Sequence, residues 1–473
     1  MIKPLAVRSL VLTITLWTSV GMTQNGADAA PIEVTHQPRQ VILIIGDGMD
    51  EQQLTIARNY LKGSQGKLQL DHLPFRASMQ ILTTEDRVNG KPVYVADSAN
   101  TATSMATGAI TSRGRISTSA GTDANIATIM ELAVAGGLRT GLVTTSSITD
   151  ATPASFITHI NFRLCENPDA MVDVNYKGIA LGDCSEYLKA NGGGGSIAEQ
   201  LADSPVDVLL GGGEKHFTPI AEAETISVKA LAERNGFEVI TRKDELASAS
   251  QDKRLLGVFE QSTLPVRLRG EDGRKAEEPE PSLLNYVHPY LGDVTLPAPM
   301  VCEANPDFAN MPSLQQMTNV ALDRLSRNNN KGFFLMIESA SIDKQSHERK
   351  PCGSIGEVEQ LDEALQSALA FAETHPRTLI LVTADHSQAA QLIPDESLFA
   401  AYPISTYTPG YVARIVTPEG SHMAINYATS NFMLEEHTGA AVPLLANSEG
   451  IGRIPAFVQQ PQIFGIIREY LGI

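Results

Sequence analysis

The chain has 473 residues, 42% of them hydrophobic and 19% charged, the composition of an ordinary globular protein with a sizeable core. Its formal charge of -18 argues against a nucleic-acid or anionic-membrane binder, because both need a basic footprint. A phosphate site is still open to it, since metal ions and arginine can reverse the field locally.

In chain order, Lys3 and Arg8 precede an apolar stretch over residues 10–20, and Ala27-Asp28-Ala29 stands before Ala30-Pro31. That order of basic, apolar and small residues predicts a secretory signal peptide over residues 1–30, with an apolar core too short to span a bilayer. No later stretch approaches the ~18 unbroken apolar residues of a membrane span. From Arg39 onward, strand-like runs alternate with helical patterns, which predicts a large doubly wound α/β fold, mostly parallel, with helices on both faces. Four apolar runs end in acidic or hydroxyl residues: 41–45 in Gly46-Asp47-Gly48, 94–96 in Asp97-Ser98, 333–337 in Glu338, and 379–383 in Ala384-Asp385-His386. Each is expected to be a buried strand of a parallel sheet. Further strands are predicted over 140–145 and 207–210, and helices over 99–107, 126–134, 314–325 and 358–374. Gly192 to Gly195 marks a turn before another helix, and residues 262–300 form an irregular excursion rich in Pro, Glu and Arg. A single domain over residues 31–473 with inserted loops fits best, because the acidic run ends fall on both sides of every candidate boundary.

Four cysteines, Cys165, Cys184, Cys302 and Cys352, make an even count in an exported chain and favour disulfides. Three connectivities are possible and the sequential one is simplest. With no Cys-x-x-Cys present, zinc–thiolate binding is the weaker reading.

In an open α/β sheet ligands bind beyond the carboxyl ends of the strands, so these distant segments deliver carboxylates, a serine and a histidine to one crevice. Acids gathered there without basic partners do not stay buried and charged, and divalent metal is the simplest remedy. Ser98 opens a helix of small residues, where free N–H groups favour negative charge. A plain N-cap would look the same, and only its place among the other run ends favours chemistry. Asp343 and His347 are four apart and share a helix face, as a simple surface pair also does. Asp385-His386 after a fully apolar run resists a bland explanation, whereas His437 is weak alone. Carboxylate with imidazole is the mixture that zinc accepts in open catalytic sites.

The segments Asp97-Ser98-Ala99, Thr103, Thr107-Gly108, Asp150-Ala151-Thr152-Pro153, Ser341-Ile342-Asp343-Lys344-Gln345, Thr383-Ala384-Asp385-His386 and Glu436-His437-Thr438-Gly439 together resemble the bacterial alkaline phosphatase family, in the family's order over residues 39–440. The resemblance implies that Ser98 is a nucleophile that becomes a phosphoserine. It implies two zinc ions, one held by Asp343, His347 and His437, the other by Asp47, Asp385 and His386 and touching the Ser98 oxygen. A magnesium ion would take Asp47, Thr152 and Glu338, with Asp150 further out. Arg163 matches the arginine that grips two phosphate oxygens, and Asp150 with Lys344 matches an acid and a lysine near the phosphate, although a purely structural ion pair has nearly equal weight. The cysteine spacing resembles the family's sequential disulfides, and a homodimer is implied as well. The charges balance: three divalent ions, the carboxylates of Asp47, Glu338, Asp343 and Asp385, and a phosphomonoester dianion sum to zero. One position departs from the pattern. Gln388 stands where the well-known bacterial form has a histidine supporting the first zinc site, so altered zinc affinity or rate is expected rather than lost activity.

The chain thus reads as an exported, periplasmic or secreted, metal-dependent hydrolase of small phosphomonoesters. A phosphodiesterase or phosphonate hydrolase of the same fold is the nearest rival, but it needs room for a second ester group and often uses threonine, so Ser98 and Arg163 count against it. A non-catalytic phosphate- or metal-binding protein has no need of Ser98.

Overall fold

Ten strands form the central sheet, in the spatial order Phe457–Gln459, Phe75–Gln80, Val442–Ala446, Thr378–Ala384, Arg39–Gly46, Gly332–Ser339, Arg139–Ser147, Val208–Gly212, Arg254–Val258, Phe237–Ile240. This computed structural model describes residues 37–176, 178–396, 402 and 408–473; the signal-peptide reading of residues 1–30 lies outside them. Val442–Ala446 runs against both its neighbours, and the remaining pairings are parallel. Val41, Ile42, Leu43, Ile44 and Ile45 are all fully buried. A strand covered on both faces reads as a continuous apolar run rather than an alternation, and β-branched residues suit its pleat. Each such side chain contributes about 1.5–3 kcal/mol by leaving water.

Two groups of helices cover the sheet. Glu51–Lys62 and Leu314–Ser326 both pack on Pro351–Thr374; Ser98–Thr107, Ile129–Ala135 and Gln462–Leu471 form the second group, and both groups meet the strands. Register then sets the site. Ile45 pairs with Glu338 and Thr383, and Gly46 with Ser339 and Ala384, so Asp47, Glu338 and Asp385 leave three adjacent strands at one level. Gly48, at φ +68°, turns the chain there; a Cβ on it would lie 3.0 Å from Gln388 and 3.1 Å from Asp343.

The expected strand over residues 94–96 is not one. Pro92–Val93 makes a two-residue antiparallel ladder with Thr83–Thr84, after which the chain bends, leaving Tyr94 82% exposed. Three residues, one of them projecting into solvent, supply too little apolar surface to enter the sheet, and Ser98 reaches the site at a helix N-terminus instead. The helix predicted over 126–134 begins at Ile129, because Thr128 and Glu131 close a capping box ahead of it. The helix predicted from residue 358 begins at Pro351, where proline is preorganised for the first position. Its early glycines hid it, yet Gly356 serves packing: a Cβ there would sit 2.9 Å from the Leu268 backbone nitrogen. Residues 262–300 hold short ladders and a 3-10 turn at Glu271–Gly273, as their composition suggests. Among the described residues, no helix is long and apolar enough to cross a membrane.

Cys165 is bonded to Cys184 and Cys302 to Cys352, at sequence separations of 19 and 50. On the chain-entropy model loops of these lengths stabilise by about 3 and about 4 kcal/mol. Denaturant unfolding of the Cys302→Ser/Cys352→Ser double variant is therefore expected to show the larger loss of the two paired removals, and an unshifted midpoint would contradict it.

Candidate active site

Three imidazoles define the geometry. His386 Nδ1 faces the Ser387 carbonyl at 3.3 Å, His437 Nδ1 the Ala96 carbonyl at 2.8 Å, and His347 Nδ1 the Glu435 carbonyl. A carbonyl only accepts, so each Nδ1 carries the proton and each Nε2 presents a lone pair. Those lone pairs converge on carboxylates. His386 Nε2 lies 3.3 Å from both Asp47 Oδ1 and Asp385 Oδ2 and 3.2 Å from Ser98 Oγ. His437 Nε2 lies 3.3 Å from Asp343 Oδ1, and His347 Nε2 lies 3.3 Å from Asp343 Oδ2 and 3.0 Å from His437 Nε2. Acceptors aimed at acceptors need a cation between them, either a proton or a metal.

The electrostatics agree. Burial, then Asp385, Asp343 and Glu338, pushes the Asp47 carboxyl well above its ordinary range, and burial together with the charge of Asp150 lifts Glu338 to about 7 despite its hydroxyl donors. Burial also raises Asp343, but the imidazoles of His347 and His437 outweigh it and hold that carboxyl well down. Against its own burial, His437 is carried to about 9, chiefly by Asp343. Asp47 Oδ1 and Thr152 Oγ1 are buried without a hydrogen-bond partner. Two overlapping groups, Asp47 with Asp385 and His386, and Asp343 with His386 and His437, bring their ligand atoms within 4.8 Å of one another. His347 stands beside the second. The donor set therefore fits divalent metal.

Ser98 begins the helix Ser98–Thr107 and is 3% exposed. Asp97 caps this helix by accepting from Asn100 N at 3.1 Å, and its second oxygen accepts from Gly114 N at 3.0 Å and Arg163 Nη1 at 3.3 Å. Arg163 Nη2 donates to Asp150 Oδ1 at 3.0 Å, while Lys344 Nζ meets Asp150 Oδ2. Despite burial, Asp150 and then Asp97 hold the Arg163 guanidinium protonated, and Asp150 does the same for Lys344. Glu338 accepts from Thr144 Oγ1 and from Ser146 Oγ at 3.2 Å. Gln388 Nε2 donates to Asp343 Oδ1 at 2.6 Å, and Ala389 N fixes the amide by donating to its Oε1 at 2.7 Å. Gln388 thus supports Asp343 by a hydrogen bond from the position where the bacterial pattern has a histidine.

Every site residue singled out in the sequence, from Asp47 to His437, lies in or beside this cluster. Sequence reasoning missed the second role of Asp97, which reads only as an N-cap. It also missed Arg349 with Glu435, and Glu166 with His216, whose partners are too far apart in the chain to be paired by eye.

A doubly wound α/β sheet with carboxylates and imidazoles converging on a buried serine fits a metal-dependent hydrolase. A sequence model of alkaline phosphatase matches residues 38–449. The alkaline phosphatase of Escherichia coli strain K12 is 36% identical over 443 residues, covering 92% of this chain and 86% of that protein. The streptomycin-6-phosphate phosphatase of Streptomyces griseus is 36% identical over 449 residues, covering 92% and 91%. The alkaline phosphatase structure from the Antarctic bacterium TAB5 superposes with a TM-score of 0.64 at 22% identity, covering 92% and 99%, and that of Thermus thermophilus with 0.64 at 19%, covering 96% of each. The chain belongs to the alkaline phosphatase family and is a phosphatase.

Proposed function

We propose that the enzyme hydrolyses phosphate monoesters to an alcohol and inorganic phosphate through a phosphoserine on Ser98. The observation that carries this is the placing of Ser98 Oγ 3.2 Å from His386 Nε2, at the junction of the imidazole–carboxylate groups and the N-terminus of a helix. Zinc is assigned to Asp343, His347 and His437 and to Asp47, Asp385 and His386; magnesium to Asp47, Thr152 and Glu338, with Asp150 beyond. When bound, these ions lower the proton affinity of the serine hydroxyl and stabilise charge on the entering and leaving oxygens.

The chain's own groups do the rest. Ser98 Oγ attacks phosphorus as the bond to the alcohol oxygen breaks, and the serine's proton passes through solvent to the departing alcohol oxygen. Water then attacks the phosphoserine, the P–Oγ bond breaks, Ser98 regains its proton and phosphate departs. Arg163 offers a planar fork to two phosphoryl oxygens, held ready by Asp97 and Asp150. Lys344, fixed by Asp150, adds positive charge at the same wall. The buried helix N-terminus presents unpaired N–H groups toward developing negative charge.

Residues 31–473 are assigned to one catalytic domain and residues 1–30 to a signal peptide removed on export to the periplasm or the medium, which the two disulfides support. The working form is assigned as a homodimer. An aryl phosphate and the matching diester, assayed side by side at alkaline pH, test the activity: turnover is expected on the monoester, and faster turnover on the diester would replace this reading. Excess chelator is expected to abolish activity and zinc with magnesium to restore it, so full activity in chelator would end the metal assignment.

A further inference from the structure

The cavity above Ser98, of ≈ 860 Å³, extends past Arg163 and Lys344 to a wall containing Glu166 and His216. Neither residue has a part in the chemistry described above, and the hydrogen bonds around them fix the tautomer of His216. Asn167 Oδ1 accepts from the backbone N–H groups of Asp169 at 3.0 Å and Ala170 at 3.2 Å. Its amide nitrogen therefore points the other way and donates to His216 Nδ1 at 2.9 Å. That leaves the ring proton on Nε2, 3.1 Å from Glu166 Oε2. Thr149 Oγ1 donates to the same oxygen at 2.5 Å.

Both donors thus fall on Oε2, and among the described residues none meets Oε1. The segment is rigid: Cys165 is in a disulfide, and Ala198 N donates to the Glu166 carbonyl at 2.9 Å. Burial and the neighbouring Asp150 push the Glu166 carboxyl up to about 7, the mark of a carboxylate short of positive partners. His216 is buried and stays neutral, since burial and Lys215 bring it down to about 4, so it steers the carboxylate without neutralising it.

Resting on the phosphatase reading above, we propose that Glu166 is a specificity-determining residue, its Oε1 accepting a hydrogen bond from an N–H or O–H donor on the alcohol part of the phosphomonoester. The preferred substrates are then phosphates of amino or polyhydroxy alcohols rather than of bare aryl alcohols. A carboxylate already anchored on one oxygen loses little freedom in taking such a donor, and a donor matched to it is worth about tenfold in affinity.

The test compares kcat/KM on phenyl, glycerol and 2-aminoethyl phosphate for the full enzyme and for Glu166→Met and Glu166→Gln. Glu166→Met is expected to lower glycerol or 2-aminoethyl phosphate about tenfold relative to phenyl phosphate, mainly through KM. In Glu166→Gln, His216 and Thr149 hold the amide oxygen where Oε2 stood and leave an NH2 group at the Oε1 position, so 2-aminoethyl phosphate, whose ammonium only donates, is expected to fall as with Glu166→Met, whereas a glycerol phosphate hydroxyl can turn to accept and is expected to fall less. Equal losses on all three substrates, or unchanged ratios, would overturn the inference while leaving the phosphatase reading intact. An unaltered enzyme inert on all three would overturn both.

Discussion

Ser98→Ala is expected to lower phosphomonoester turnover by at least about a thousandfold while leaving the fold intact, because a nucleophile removed from an interdependent site takes most of the catalysis with it. The substitution is clean in structural terms. The helix Ser98–Thr107 is capped by Asp97, not by Ser98, and the capping box with Asn100 survives. Alanine favours a helical position and occupies no new space in a buried site. Thermal unfolding should therefore shift little, and the loss should appear in kcat. Arg163 stays held by Asp97 and Asp150, so inorganic phosphate should still inhibit competitively. Acid-quenched enzyme given labelled phosphate should trap label on the parent protein and none on the variant. Turnover by Ser98→Ala equal to that of the parent would reject the covalent route.

Much of the fold was legible because fully buried parallel strands announce themselves as unbroken apolar runs. Residues 41–45, 333–337 and 379–383 fall inside strands, and the acids that follow them meet because adjacent parallel strands end at one level. The run at 94–96 misled for the same reason that the others succeeded: apolar residues before Asp-Ser resemble a strand end, and nothing local reveals that Tyr94 points to solvent. The three-stranded sheet of Gln391–Ile393, Tyr411–Val416 and His422–Tyr427 had no clear sequence signal, since its short strands depend on pairing across distant segments. Within the site, ligand-type residues were legible as types at characteristic spacings. What orients them was not. The Ala96, Ser387 and Glu435 carbonyls that fix the imidazoles are backbone groups and carry no residue signature.

Removing either half of the Arg349–Glu435 pair is expected to cost about 3–5 kcal/mol of stability, as for any charge left buried without its partner. Both side chains are almost fully buried, with Arg349 Nε 2.6 Å from Glu435 Oε1, and the guanidinium also lies 3.7 Å from the Tyr411 ring centroid. Arg349 sits at φ +61°, a conformation that costs a non-glycine residue roughly 1–2 kcal/mol, so the pair is formed against backbone preference. What it joins explains why. Arg349 lies two residues after His347 and Glu435 two before His437, and the Glu435 backbone accepts from His347 Nδ1 while donating to the His347 carbonyl at 3.0 Å. The pair therefore fixes the backbone that orients the His347 lone pair. Losing such an outer partner weakens metal binding about 10- to 100-fold in comparable sites, so Arg349→Met should bind zinc more weakly when the metal-free protein is titrated against a chromophoric chelator. Arg349→Met/Glu435→Leu separates charge from geometry. Deleting both charges should recover much of the stability lost by Arg349→Met, whereas zinc affinity should stay low because the loops are no longer tied. If affinity returned together with stability, the pair would be a structural ion pair and nothing more.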